Sequence, residues 1–146
     1  MRDPHGSRWQ AGQAVVELAL VAPLFLFLAF GVVAIGRIAQ AEMAVSAVAD
    51  EAARTAALAP TAGDAVVAGI ERGQQVATGY GLAASGLQLT VDARAFGRGG
   101  QIRATVRYTV DVRDLPLLGW AQLPVSSTHV APIDRYASVW PVGSTP

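Results

Sequence analysis

Residues 14–36 read AVVELALVAPLFLFLAFGVVAIG, an apolar run in which Glu17 is the one ionisable side chain. As an α-helix rising about 1.5 Å per residue, residues 18–35 cover roughly 27 Å, close to the about 30 Å of hydrocarbon in a bilayer. The stretch therefore reads as a membrane helix. Arg2 and Arg8 precede it with only Asp3 against them, which by the positive-inside bias places the N-terminus on the cytoplasmic side. Everything after Arg37 is then expected outside.

The rest of the composition suits one small domain on that anchor. The chain has 146 residues, a net charge of +0 and 52% hydrophobic residues, with no second run long enough to span. Its eleven basic residues are scattered arginines, whereas a nucleic-acid surface needs them clustered, so no nucleic-acid partner is expected. With no cysteine there is no disulfide and no thiolate metal site, and an exported domain must hold together by packing alone.

Beyond the apolar run the helical pattern continues. Ile38, Ala41, Val45, Val48, Ala52 and Thr55 recur at three-four spacing and form one face, to be covered either by the protein's own sheet or by a helix of another subunit. Ala59-Pro60 should stop this helix, because the residue before proline is pushed out of the α region. Thr61 and Asp64 have the spacing of a helix cap. They are followed by a second, shorter helix whose stripe is Val66, Ile70, Gly73, Ala77 and Tyr80. Residues 81–86 read as a loop.

The period then changes to two. Leu87, Leu89, Val91 and Ala93 alternate with polar residues, as do Ile102, Ala104, Val106, Tyr108, Val110 and Val112, and FGRGG at residues 96–100 supplies a turn between two antiparallel strands. A lone hairpin is marginal, so a third strand is expected at residues 124–131, with Val125, Ser127 and His129 on one side. DLPLLGWAQL, residues 114–123, reads as a surface patch or a return to the membrane interface through Trp120. The fold class is thus α+β: a transmembrane helix continuing into a long amphipathic helix, a second helix, and a small antiparallel sheet. The layout is a leader at 1–12, the membrane helix at 13–36, an exported domain at 37–135 and a loose tail at 136–146.

No catalytic, cofactor or metal constellation emerges. His5 and His129 fall on opposite sides of the membrane, and Asp92, Asp111, Asp114 and Asp134 lie on strand faces and loops typical of solvent-facing acids. GRGG at residues 97–100 precedes a strand and no lysine, which argues against a phosphate loop. No enzyme activity, cofactor or small-molecule substrate is expected.

One constellation asks for more than a structural reading: Gly12-Gln13-Ala14-Val15-Val16-Glu17, where the leader enters the membrane. Gly12 can expose extended backbone to a protease, and cleavage after it would leave Gln13 as a free cationic amine. Glu17, one helical turn on, would neutralise that amine in its own chain or a neighbour's, since a charge within the apolar region needs a partner. Alternatively, Glu17 simply complements the helix N-terminal dipole near the headgroups.

These residues resemble the TadE-like proteins, minor pilin-like (pseudopilin) components of tight-adherence pilus machinery. The resemblance runs from about Gly12 to Ala59. It rests on the GQAVVELALVAPL start, Phe30-Gly31, and the Gly36-Arg37 exit followed by DEAARTAAL, while Leu18 stands where many members have Phe. It implies a leader removed by a prepilin peptidase between Gly12 and Gln13, and a role for Glu17 in processing or assembly. Pro23 is also common in such segments and would bend the helix. Further implications are a place in the bacterial cytoplasmic membrane or in the pilus, partnership with other pilin-like subunits and pilus platform proteins, and helix packing at small residues including Gly31 and Gly36. The competing readings are an ordinary signal peptide ending at Ala39-Gln40-Ala41, a surface-binding module using the regions of Trp120 and Trp140, and a hydrolase.

Overall fold

The computed structural model describes the backbone of residues 6–115 and 122–134, with side chains from Gln13 onward. The element order is helix α1 (Gly6–Ala57), helix α2 (Ala62–Gly79), a short 3-10 turn (Ala84–Gly86), and strands β1 (Leu87–Asp92), β2 (Gln101–Val110) and β3 (Leu123–Pro132). This is the expected α+β architecture. The readings for Trp120, Trp140 and the tail at 136–146 fall outside the described residues.

The chain divides into two compact units. One holds residues 1–37 with 112–121, and the other holds residues 38–111 with 122–146. In the first, the apolar residues of α1 point outward: Leu20 is 74% exposed and Phe25 66%. Among the described residues nothing covers them, which suits a segment whose solvent is lipid.

In the second unit the two helices and the sheet share a core. Ala41, Ala44, Val45, Val48, Ala49, Ala52, Ala53 and Ala56 of α1 are all buried, a face wider than the expected stripe and covered within the chain. Ala52, Ala53 and Ala56 meet Ala65 of α2 and Val91, Ile102, Ala104 and Ala131 of the sheet in one cluster. The protein's own sheet is thus the partner this stripe requires.

Local chemistry sets the ends of α2. Thr61 has extended backbone at φ −133° and ψ 160°, and its hydroxyl oxygen accepts the Asp64 N–H at 3.1 Å. The hydroxyl then donates to the Asp64 carboxylate at 2.7 Å, because aspartate is too short to complete a reciprocal box with the cap backbone. At the other end the N–H of Leu82 bonds Ala77 O and that of Gly81 bonds Thr78 O, with Gly81 at φ +72°. This is a Schellman closure, which needs a residue without a Cβ at that position.

The buried row of α2 is Ala65, Gly69, Gly73 and Ala77, one residue away from the expected stripe over its first half, and Tyr80 is 58% exposed. The smallest side chains face α1. A Cβ at Gly69 would lie 3.0 Å from the Ala52 carbonyl oxygen and 3.1 Å from the Ala56 Cβ, and one at Gly73 would overlap the Leu89 side chain. Ile70 packs beside the core cluster instead. Glycines that lower helix propensity are here the contact surface that brings two helices together.

The sheet order is β1-β2-β3, antiparallel throughout, with Val91 opposite Ala104 and Ala104 opposite His129. β1 ends at Asp92, earlier than its apolar alternation suggests, because the Asp92 carboxylate accepts the Arg94 N–H at 3.0 Å and turns the chain. The connection to β2 therefore spans residues 93–100. β2 stops at Val110, although Val112 remains buried. Prolines 124 and 132 lie near the ends of β3, an edge strand, where a missing N–H is tolerated.

Candidate processing and assembly site

The residues singled out for processing and assembly all lie on α1. Helix formation begins at Gly6, so Gly12 and Gln13 sit inside the helix instead of in extended backbone ahead of it. The apolar run favours helix propagation back into the leader, since each added residue closes a hydrogen bond once the helix is nucleated. Gln13 and Glu17 are exposed, one turn apart and hence on the same face. Pro23 lies within the helix, and without an N–H it cannot donate to the Ala19 carbonyl a turn earlier.

Farther along, Gly31 is half-buried and Gly36 exposed, and a Cβ built on either would meet nothing within 4 Å. The contrast with Gly69 and Gly73 is direct. Packing among the described residues requires small side chains on α2 but makes no such demand at Gly31 or Gly36.

Where the apolar run ends, Arg37 donates from Nη1 and Nη2 to the two carboxylate oxygens of Asp114, at 2.6 and 2.7 Å. This two-pronged geometry is the most specific that a guanidinium and a carboxylate can adopt. It ties residues 112–115 to the exit of the anchor within the same compact unit. Reading the sequence as flanking charge and solvent-facing acid missed this pair, because 77 positions separate its members.

The second unit holds its own polar contacts. His129 Nε2 lies 3.0 Å from Asp50 Oδ1, which also accepts from Arg54 Nε at 3.0 Å, so the inward-facing histidine of β3 meets α1. Arg72 of α2 bonds Glu51 of α1 at 3.0 Å. Asp92 is clasped by Arg94. The side-chain and backbone hydrogen bonds from Arg94 hold its carboxyl at about 2 and raise the arginine in turn. None of these groups converges into a nucleophile and base, and among the described residues no three metal-ligating side chains gather.

One long N-terminal helix whose apolar first half is largely exposed, in a chain that also holds a small α+β domain, fits a single-pass membrane anchor. The sequence model of the TadE-like protein family matches residues 12–54, and over that segment the chain is similar to TadE-like proteins. The match covers the candidate site and the anchor and runs into the buried half of α1. That family points to a protein associated with the Tad pilus. No curated protein and no solved structure matches the chain.

Proposed function

We propose that the protein is a non-enzymatic, pilin-like component of a Tad-type pilus, held in the cytoplasmic membrane with its N-terminus inside until lateral helix contacts draw it into the assembly. The observation carrying this reading is the TadE-like match across residues 12–54, laid over an apolar helix whose large side chains are left exposed by the described residues.

The leader is cut between Gly12 and Gln13. Because this peptide bond is helical, the peptidase must first unwind the turns around it, and a glycine there lowers that cost by roughly 0.5–1 kcal/mol relative to alanine. The freed amine of Gln13 then stands one turn from Glu17, which neutralises it in the same chain or in a neighbour. Open helix surface at Gly31 and Gly36 admits a second helix closely, and the Ala19 carbonyl left without a donor by Pro23 offers that helix a polar contact.

Gly12→Leu tests the reading. Chain recovered from membranes should begin at Gln13 in the wild type and retain its leader in the variant, as seen by N-terminal sequencing. A wild-type chain that still begins at Met1 rejects processing, and one that begins at Glu42 transfers the anchor to the signal-peptide reading. Cross-linking in cells should recover pilin-like subunits with the wild type and lose them with Glu17→Ala.

A further inference from the structure

The exported domain separates its charge by layer. Residues 38–79, the helices, carry five acids against two arginines, a net −3, and residues 80–110, with β1 and β2, carry four arginines against one acid, a net +3. Ion pairing inside each layer preserves the imbalance. On the helices Arg54 takes Asp50 and Arg72 takes Glu51, which leaves Glu42, Asp64 and Glu71 exposed and without an ion-pair partner among the described residues. On the sheet Arg94 takes Asp92, which leaves Arg98, Arg103 and Arg107 exposed in the same condition.

The two sets occupy different surfaces. Arg103 and Arg107 alternate with the buried Ile102, Ala104 and Val106, so they project from the outer face of the sheet, Arg107 between Gln88 and Ser126 in register and Arg103 between Val130 and Asp92, the acid that Arg94 already holds. Glu71 lies two residues from both Gly69 and Gly73 and so points away from the buried row of α2.

The sets also run in the same order. The first turn of α2 lies beside residues 90–94 and its last turns beside residues 87–89. Asp64 is therefore level with the end of the sheet that bears Arg98 and Arg103. Glu71 lies midway, and Glu42, below Val48 on α1, belongs to the Arg107 end. Two copies of this domain set side by side in parallel would thus meet acid to arginine from one end of the sheet to the other.

We infer that the outer sheet face of one copy docks against the acidic helix layer of a second copy, in a head-to-tail, heterologous contact. Such a contact leaves a free sheet on one end and a free helix layer on the other, so it can repeat. Anchoring in one membrane raises the effective concentration of the copies, which lets weak surface pairs act together. The inference rests on the anchor reading for this proximity but not on a pilus.

The natural lack of cysteine supplies the test. Full-length Gln75→Cys, on the outer side of α2, and Ser126→Cys, on the outer sheet face, are reconstituted in phospholipid vesicles separately and mixed, then treated with a short bismaleimide. The mixture should give a dimer of unlike variants that neither sample gives alone. Arg103→Glu with Arg107→Glu in the Ser126→Cys copy should lower its yield about tenfold, and Asp64→Arg with Glu71→Arg in the other copy should restore it. Circular dichroism checks that each variant folds. Equal dimer in separate and mixed samples, or a mixed yield unmoved by charge reversal, overturns the inference. Vesicle flotation reports on the anchor by itself, and if the chain does not float, the same cross-linking in solution still decides the interface.

Discussion

The two halves of α1 both present apolar side chains and put them to opposite use. Before Arg37 the helix exposes Val15, Leu18, Leu20, Leu24, Phe25, Phe27 and Ile35, all more than half exposed, whereas after it the buried side chains are alanine and valine alone. Size separates them. Large side chains suit a surface solvated by lipid, which welcomes contact area without demanding fit. Small ones let α2 and the sheet approach until carbonyls and methyl groups touch, and there each added methyl has nowhere to go. Glycine follows the same division, enforced at 69 and 73 and unconstrained by the chain at 31 and 36.

That contrast can be broken by substitution. The largest effect is expected for Ile102→Ala, fully buried near the start of β2. It should cost the α+β domain about 3–4 kcal/mol, read from hydrogen exchange of β2 amides in the detergent-solubilised chain, while Phe25→Ala leaves that exchange unchanged. Gly73→Leu, which drives a side chain into Leu89 and Ala52, should cost about 2–3 kcal/mol by the same measurement, whereas Gly36→Leu should leave the domain within about 0.5 kcal/mol.

Smaller effects sharpen it. Thr61→Ala removes the acceptor for the Asp64 N–H and should lower stability by about 1 kcal/mol, with faster exchange confined to the first turn of α2. Asp50→Asn weakens the contacts with His129 and Arg54 at a partly exposed site, so a loss of about 0.5 kcal/mol is expected. The smallest change concerns acid. The Asp92 carboxyl, held at about 2 against an ordinary 3.8, stabilises the fold above its unfolded value, and this contribution fades as pH falls through about 2. Carbon-13 titration should place its midpoint there, and Arg94→Ala should move it up towards the ordinary value.

Much of this could be read along the chain. The anchor follows from eighteen consecutive residues without a charge, at 18–35. The helix break at Ala59-Pro60, the Thr61 cap and the two-residue alternation of the strands likewise depend on neighbours only, and each stands where expected to within a few residues. The spacing of Gly12, Gln13 and Glu17 was equally visible, because Gln13 and Glu17 lie one helical turn apart, but their helical setting was not. The apolar run pulls Gly12 into α1, and that is a property of the whole helix, not of the motif.

What the chain order concealed was which side chains meet across distant elements. Nothing local says that Arg37 will clasp Asp114, that His129 will turn inward onto Asp50, or that the glycines of α2 serve contact. Periodicity chose Val66 and Ile70 for the buried stripe because it weighs hydrophobicity, while packing against α1 chose Ala65 and Gly69 because it weighs volume. Hydrophobic pattern and capping chemistry act over a few residues and so determine which segments become anchor, helix and strand. Close packing and charge pairing act through space, and only the assembled fold decides which small residues must touch and which charges remain unanswered.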